Sequence, residues 1–334
     1  MKGFLALLVL TLSFLPIKVR SQTKPEKNDR SWIDQSNRYT KQLIDLDKKY
    51  TPEYGSAQGL AEYDTQIAIP TLANQRAERK EQEALVARYV AAAKTEKAGP
   101  VAQDLHILID HLKLGFRRQD FEMRRKVPFL NAASMIYDGL EILLDDQTPA
   151  ARRQAAVVRM QKYAGLEKGY RPLTATLQDR VAQQIAGHDM IYPSRQQMEV
   201  ELSRNESIIT GIAELCQKHK LTGWEQPYAE LKKQVQAYDQ WTREQVLIKA
   251  RTDFRLPPEE YALALEDYGI DIPPAQLAKI AHAAFTEIQN EMKPIAEQIA
   301  KKRNLPSRNY RDVIRELKKN KFMAIPLFRF TSGT

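Results

Sequence analysis

Apolar positions recur at three- and four-residue steps along most of this chain, and nowhere do they alternate with period two for long enough to suggest a sheet. From Ser31 to Lys49 the residues Trp32, Tyr39, Leu43 and Leu46, continued by Tyr50, mark one stripe of a first helix. The stretch TPEYGSAQGLAEYDTQIAIP then interrupts it with Pro52, Gly55, Gly59 and Pro70, predicting a loop packed by its own aromatics. Helical spacing resumes from Leu72 to Lys97 and stops at Gly99-Pro100. A further helix over about 101–126 places Leu105, Leu108, Ile109, Leu112 and Phe116 on one side.

Thr148-Pro149 predicts the next start, with a hydroxyl able to cap free amides and a proline tolerated at the first helical position. Gly165 and Gly169 close that helix, and helical stretches follow at roughly 173–186, 194–219 and 224–250. Two proline-pair starts, LPPEEY from Leu256 and IPPAQL from Ile272, each precede an amphipathic run, with Gly269 ending the shorter helix between them. The last long helix aligns Leu277, Ile280, Ala284, Phe285, Ile288, Met292, Ile295 and Ile299, with Pro294 inside it as an expected kink. The pattern therefore predicts an all-α protein: one elongated unit of about nine to eleven helices over residues 31–321, without substantial sheet.

Composition agrees. With 43% hydrophobic and 28% charged residues the chain is long enough to bury a core, and only 13 glycines stand among many straight-chain residues that lose little freedom in a helix. The first residues read instead as a targeting signal: Lys2, an apolar run Phe4–Leu15, then Val19-Arg20-Ser21, with Gln22 first after cleavage. The run is shorter than the ~20 residues a membrane-spanning helix needs, so residues 1–21 are expected to leave as a signal peptide. That leaves no stable membrane span, and residues 22–30 become a flexible leader. The protein is then exported, to the periplasm or the extracellular space.

Losing Lys2, Lys18 and Arg20 lowers the net charge from +9 to +6. The basic clusters Arg124-Arg125-Lys126, Arg152-Arg153 and Lys301-Lys302-Arg303 sit among acids on helix-like segments and read as solvated faces; nucleic acid is not an expected partner. Cys216 is the single cysteine, so no intrachain disulfide can form.

Metal chemistry was the natural place to look for a reaction. His106 and His111, in HILIDH, are separated by about 500° of helical rotation and cannot grip one ion. Helical di-metal sites need Glu three residues before His, but Gln103, Leu108, Ile185, Cys216 and Lys279 occupy those positions before His106, His111, His188, His219 and His282. The zinc-peptidase motif H-E-x-x-H needs Glu directly after its first His as general base; Ile107, Leu112, Asp189, Lys220 and Ala283 stand there. Cys216 and His219 share a face, but two ligands make half a zinc site, which favours a buried thiol beside a surface imidazole. No nucleophile elbow, dinucleotide fingerprint or phosphate loop occurs, and the neighbouring acids Asp145/Asp146, Glu199/Glu201 and Glu259/Glu260 diverge on a helix. No catalytic and no metal-ligating residue is assigned.

Three segments together, RRQAAVVRMQKYAGLEKGYRPLTATLQDRV (152–181), RTDFRLPPEEYALALEDYGIDIPPAQL (251–277) and FTEIQNEMKPIAEQIAKKRNLPSRNYRDVIRELKK (285–319), resemble the bacterial domain-of-unknown-function family 885, and the loop Glu53–Asp64 fits its early pattern. The resemblance implies a mainly helical protein similar to zinc metallopeptidases, in which an H-E-x-x-H helix lies beyond the point matching Arg315–Lys319. Zinc is therefore expected only in full-length relatives. This chain turns at Phe322–Met323 from a charged helix into MAIPLFRFTSGT, an atypical apolar tail over 322–334. Its expected origin is a frameshifted or truncated end, the alternative being a genuine short form whose tail docks on its own core. The implied function is the non-catalytic helical part of an exported zinc-peptidase-like protein, inactive alone, its partner being the C-terminal catalytic half or a peptide-like ligand. The alternative is a stand-alone periplasmic binding module with a groove between helices. Candidate substrate contacts are Arg251, Arg255 and Tyr261 around RTDFRLPPEEY; the competing reading there is a proline-defined turn pinned by a salt bridge and a buried Phe254.

Overall fold

The computed structural model describes residues 30–322. The expected signal peptide (1–21), nearly all of the expected 22–30 leader and all but the first residue of the 322–334 tail lie outside the described residues. Within them the protein is all-α, with eleven helices of seven residues or more and no strand. The sequence treats 31–321 as one helical unit; the packing divides the chain into two compact units meeting at Phe254 and Arg255.

In the first unit, α1 (Ser31–Tyr50), α3 (Leu72–Thr95) and α4 (Gly99–Arg125) form a three-helix bundle. Leu43, Leu85, Tyr89, Leu105, Ile109 and Leu112 are its core, with Trp32, Tyr39, Leu46 and Phe116 packed around them, so the stripes read from the sequence are the buried ones. Thr71 starts α3, its hydroxyl accepting from the Asn74 amide at 3.1 Å. The loop after α1 carries a short helix, α2 (Pro52–Ala57), and one 3₁₀ turn (Ala61–Tyr63).

The sequence reading names no helix at the centre of this unit, α5 (Ala132–Leu144), although its exposed Asp138 and Glu141 lie opposite an apolar face. Ala132, Ala133, Ile136, Gly139, Leu140, Leu143 and Leu144 are all buried. Around it pack α7 (Ala155–Tyr163), α8 (Leu173–Ile185), α9 (Arg195–Lys218) and α10 (Glu225–Gln245), contributing Val157, Met160, Leu177, Ile209, Ile212, Leu231 and Val235 to one core.

The Thr148 hydroxyl does not cap the following helix, as the sequence suggests; it donates to the Ile142 carbonyl at 2.8 Å, closing α5 instead. The helix begun there is broken into α6 (Ala150–Arg153) and α7 at Gln154. Gly165 follows α7 at φ +70°, where a Cβ would lie 2.6 Å from Pro172, so only glycine fits.

The second unit consists, in the described residues, of α11 (Pro258–Asp267), α12 (Pro274–Arg303) and α13 (Tyr310–Phe322). Its core is small: Ala296, Ala300 and Val313, with Ile299, Leu305, Tyr310 and Leu317 around them. Asn304, left-handed at φ +48°, ends α12 after Lys301, Lys302 and Arg303, cations placed where the helix dipole favours them.

Candidate functional site

Four basic or phenolic side chains of one sequence segment converge on the loop that follows α1. Arg152 grips Asp64 with two nitrogens, Nε to Oδ2 at 2.8 Å and Nη2 to Oδ1 at 2.6 Å, and Nη2 also donates to the Ser56 carbonyl at 2.8 Å. The Ser56 hydroxyl adds a third donor to the carboxylate at 2.7 Å. Burial pushes the Asp64 carboxyl up, but the bonds from Arg152 and Ser56 prevail and hold it below the usual carboxylate range. Arg159, fully buried, donates to the carbonyls of Gly139 and Tyr63; Lys162 donates to the Thr65 carbonyl at 2.7 Å. The Tyr163 hydroxyl donates at 2.8 Å to Glu53 Oε1, which also accepts the Ala68 amide. Desolvation raises the Tyr163 hydroxyl well above its ordinary value, so it stays a donor.

Arg159 and Tyr163 lie four residues apart on one face of α7, and Arg152 reaches the same loop from α6 just before the break. This corrects the expectation that Arg152 lies on a solvated face. The arrangement is a clasp: each charged side chain in it bonds the protein, although Glu53 Oε2 and Arg159 Nε are buried without a partner.

The three candidate contact residues divide between the units. Arg251 belongs to the first, where its Nε donates to the Tyr192 carbonyl at 3.1 Å and its main chain exchanges bonds with Pro193 and Arg195. It staples the end of the first unit to the start of α9. Arg255 and Tyr261 belong to the second unit and are exposed. Phe254 is 69% exposed, against the expectation of a buried ring, because no core forms around the turn.

His106, His111, His188 and His282 are exposed. The His219 side chain is only 5% exposed, not a surface imidazole, and its Nε2 carries the proton donated to the Leu144 carbonyl at 2.7 Å. Cys216 is buried, its thiol pushed up to about 12 by desolvation, which makes it inert at neutral pH. Among the described residues no three His, Cys, Asp or Glu side chains converge so as to hold a metal ion.

Among the surface features outside the clasp, a groove and a helix face bear on the functional reading. One is a groove of about 250 Å³ between α9 and α10, floored by Leu202, Ile209 and Val235 and walled by Asn205, Asp239 and Arg243. The sequence reading names no residue of it. The signal that could have found it is the spacing of Lys232, Gln236, Asp239 and Arg243 on one face of α10. The other is α12. Its stripe keeps register over eleven-residue steps, Leu277 to Ile288 to Ile299, which holds it straight along the helix. Only its C-terminal end is covered: Ile280, Phe285, Ile288 and Ile295 are exposed, Phe285 by 58%.

Compared with known families, residues 52–326 match the one described as bacterial protein of unknown function (DUF885). No curated protein and no solved structure matches.

Proposed function

Because the chain belongs to the bacterial DUF885 family, we propose that it is the helical, non-catalytic part of an exported zinc-peptidase-like protein and does not hydrolyse peptides by itself. The observation that carries this reading is the uncovered stripe of α12. A regular series of large apolar side chains left in water is the mark of a surface made to be covered. Its occupant in this reading is a region bearing the H-E-x-x-H helix, which the resemblance places in the other half of such proteins. The residues present do not fit zinc: H-E-x-x-H is absent from the sequence, and the described side chains offer no set of three ligands. No chemical step is therefore assigned to them. Their role is to wall a cleft, with Arg255 and Tyr261 the candidates for touching substrate.

The test is made on the purified full chain. It should bind an apolar dye and self-associate by light scattering, and Ile280→Glu with Ile288→Glu should suppress both. It should also carry no stoichiometric zinc and show no chelator-sensitive peptidase activity. A monodisperse, dye-silent wild type, or tightly held zinc with turnover, refutes the reading. Export is tested by N-terminal sequencing of the mature protein, which should begin at Gln22; an uncleaved chain in the cytoplasm contradicts it. The second reading, a stand-alone binding module, is favoured by the groove between α9 and α10.

A further inference from the structure

A row of three side chains links the start of α5 to α9 and α10 and ends on a carboxylate with no ion-pair partner among the described residues. Asn131, at the start of α5, donates Nδ2 to Asn205 Oδ1 at 3.0 Å. Asn205, 1% exposed, donates its own Nδ2 to both oxygens of Asp239, at 2.9 and 3.0 Å. Neither amide can turn without leaving a buried donor or acceptor empty, so Asp239 is held in one orientation in the groove wall. No ion pair forms on it among the described residues. Arg243 lies near enough to favour its charge, yet burial prevails and pushes the carboxyl above its ordinary range.

Packing does not call for that charge. An asparagine at 239 would still accept from Asn205 through its one oxygen, in place of two, and avoid the desolvation of an ion, which in a half-buried position opposes folding. What the carboxylate adds is the ability to take a cation from outside. On the same face, Arg243 follows Asp239 by four residues, about 6 Å along the helix, and Lys232 precedes it by seven, about 10 Å. Neither bonds a carboxylate within the protein. The groove thus presents the fixed Asp239 carboxylate with cations one turn and two turns away and Glu206 also on its wall, over the aliphatic floor of Leu202, Ile209 and Val235.

We propose that the α9–α10 groove binds a small amino-carboxylate zwitterion, an amino acid or dipeptide, with its ammonium on Asp239 and its carboxylate on Arg243. The size agrees: about 250 Å³ falls just below the ~300–1,000 Å³ of drug-sized pockets, and a dipeptide spans the one-turn separation. The site lies wholly within the first unit and does not depend on what covers α12, so each proposal can fail without the other.

Titration of the full chain with glycyl-leucine, followed by calorimetry and by amide chemical shifts on α9 and α10, tests it. The dipeptide should bind, and N-acetyl-glycyl-leucine, which has no ammonium, should bind at least tenfold more weakly. Asp239→Asn should weaken the dipeptide by a similar factor while the melting temperature holds or rises. Arg243→Gln, which leaves the buried row intact, should weaken it as well. Equal binding of the free and acetylated dipeptides, no binding of either at 10-millimolar order, or an unchanged affinity in both variants overturns the proposal.

Discussion

Replacing Gly139 by alanine should destabilise the first unit, although the same change in an exposed helix stabilises by about 1 kcal/mol. Gly139 lies within α5, and a Cβ there would stand 2.2 Å from the Tyr163 hydroxyl oxygen and 3.1 Å from the ring carbon bearing it. The hydroxyl is the far end of its side chain but cannot swing away freely. It is buried and donates to Glu53 at 2.8 Å, while the other oxygen of Glu53 is itself buried without a partner. Overpacking of this kind typically costs about 1–3 kcal/mol, and loss of a buried hydrogen bond with its acceptor left behind about 1–3 more. Set against the gain in helix propensity, the net loss is about 3 kcal/mol. For a unit of this size that corresponds to roughly 6–12 °C in melting temperature. Thermal unfolding followed by circular dichroism reads it. Tyr163→Phe removes the offending oxygen, so Gly139→Ala made in that background should lose clearly less than the two single losses added together. A Gly139→Ala variant as stable as the parent, or strict additivity in the double variant, would refute the reasoning.

Arg152→Ala should cost about 3–5 kcal/mol at pH 7, because it leaves the Asp64 carboxylate buried without its cation. In the parent, Asp64 titrates below its ordinary value of 3.8, so its contribution is full above that pH and fades as the pH falls through the lower, folded value. Without Arg152 burial dominates and the acid form is favoured, so the gap between variant and parent should narrow in urea melts run from pH 7 down to pH 3.5; a gap independent of pH contradicts the clasp. Cys216 should resist thiol reagents at pH 8 in the folded protein, the thiolate being on the order of one part in ten thousand with a thiol at about 12, and react at once in denaturant; fast labelling of the native chain contradicts its burial.

What the sequence makes legible starts from helices with one wet side. The stripes of α1 and α4 can be read directly because their outer faces are charged, and Leu43, Leu105, Ile109 and Leu112 are buried as their spacing requires. α5 has such a side too, at Asp138 and Glu141, and Asn131 before it caps the Ser134 amide as a helix start would, yet the sequence reading names no helix there. Charge is harder still. Arg152-Arg153 looks like any solvated pair until the partner, Asp64, 88 residues away, is folded against it. Asp239 resembles an ordinary helix-surface acid until Asn205 comes from the neighbouring helix to fix it. Partners distant in sequence leave no periodic trace, so the clasp and the groove could be seen only in three dimensions.

The family resemblance looks different once the clasp is in view. The segment 152–181 and the loop Glu53–Asp64 carry two of its patterns, and they are the two sides of one contact: Arg152, Arg159, Lys162 and Tyr163 on one, Glu53, Ser56 and Asp64 on the other. A third pattern, 251–277, begins at the Arg251 staple and crosses the boundary between the units. These residues bond protein carbonyls and carboxylates, leaving no acid, base or nucleophile of the group aimed at solvent. The pattern shared by the clasp therefore records how the helices are held, and a binding role is sought instead at a carboxylate that is held in place by hydrogen bonds without an ion-pair partner, Asp239 in the groove between α9 and α10.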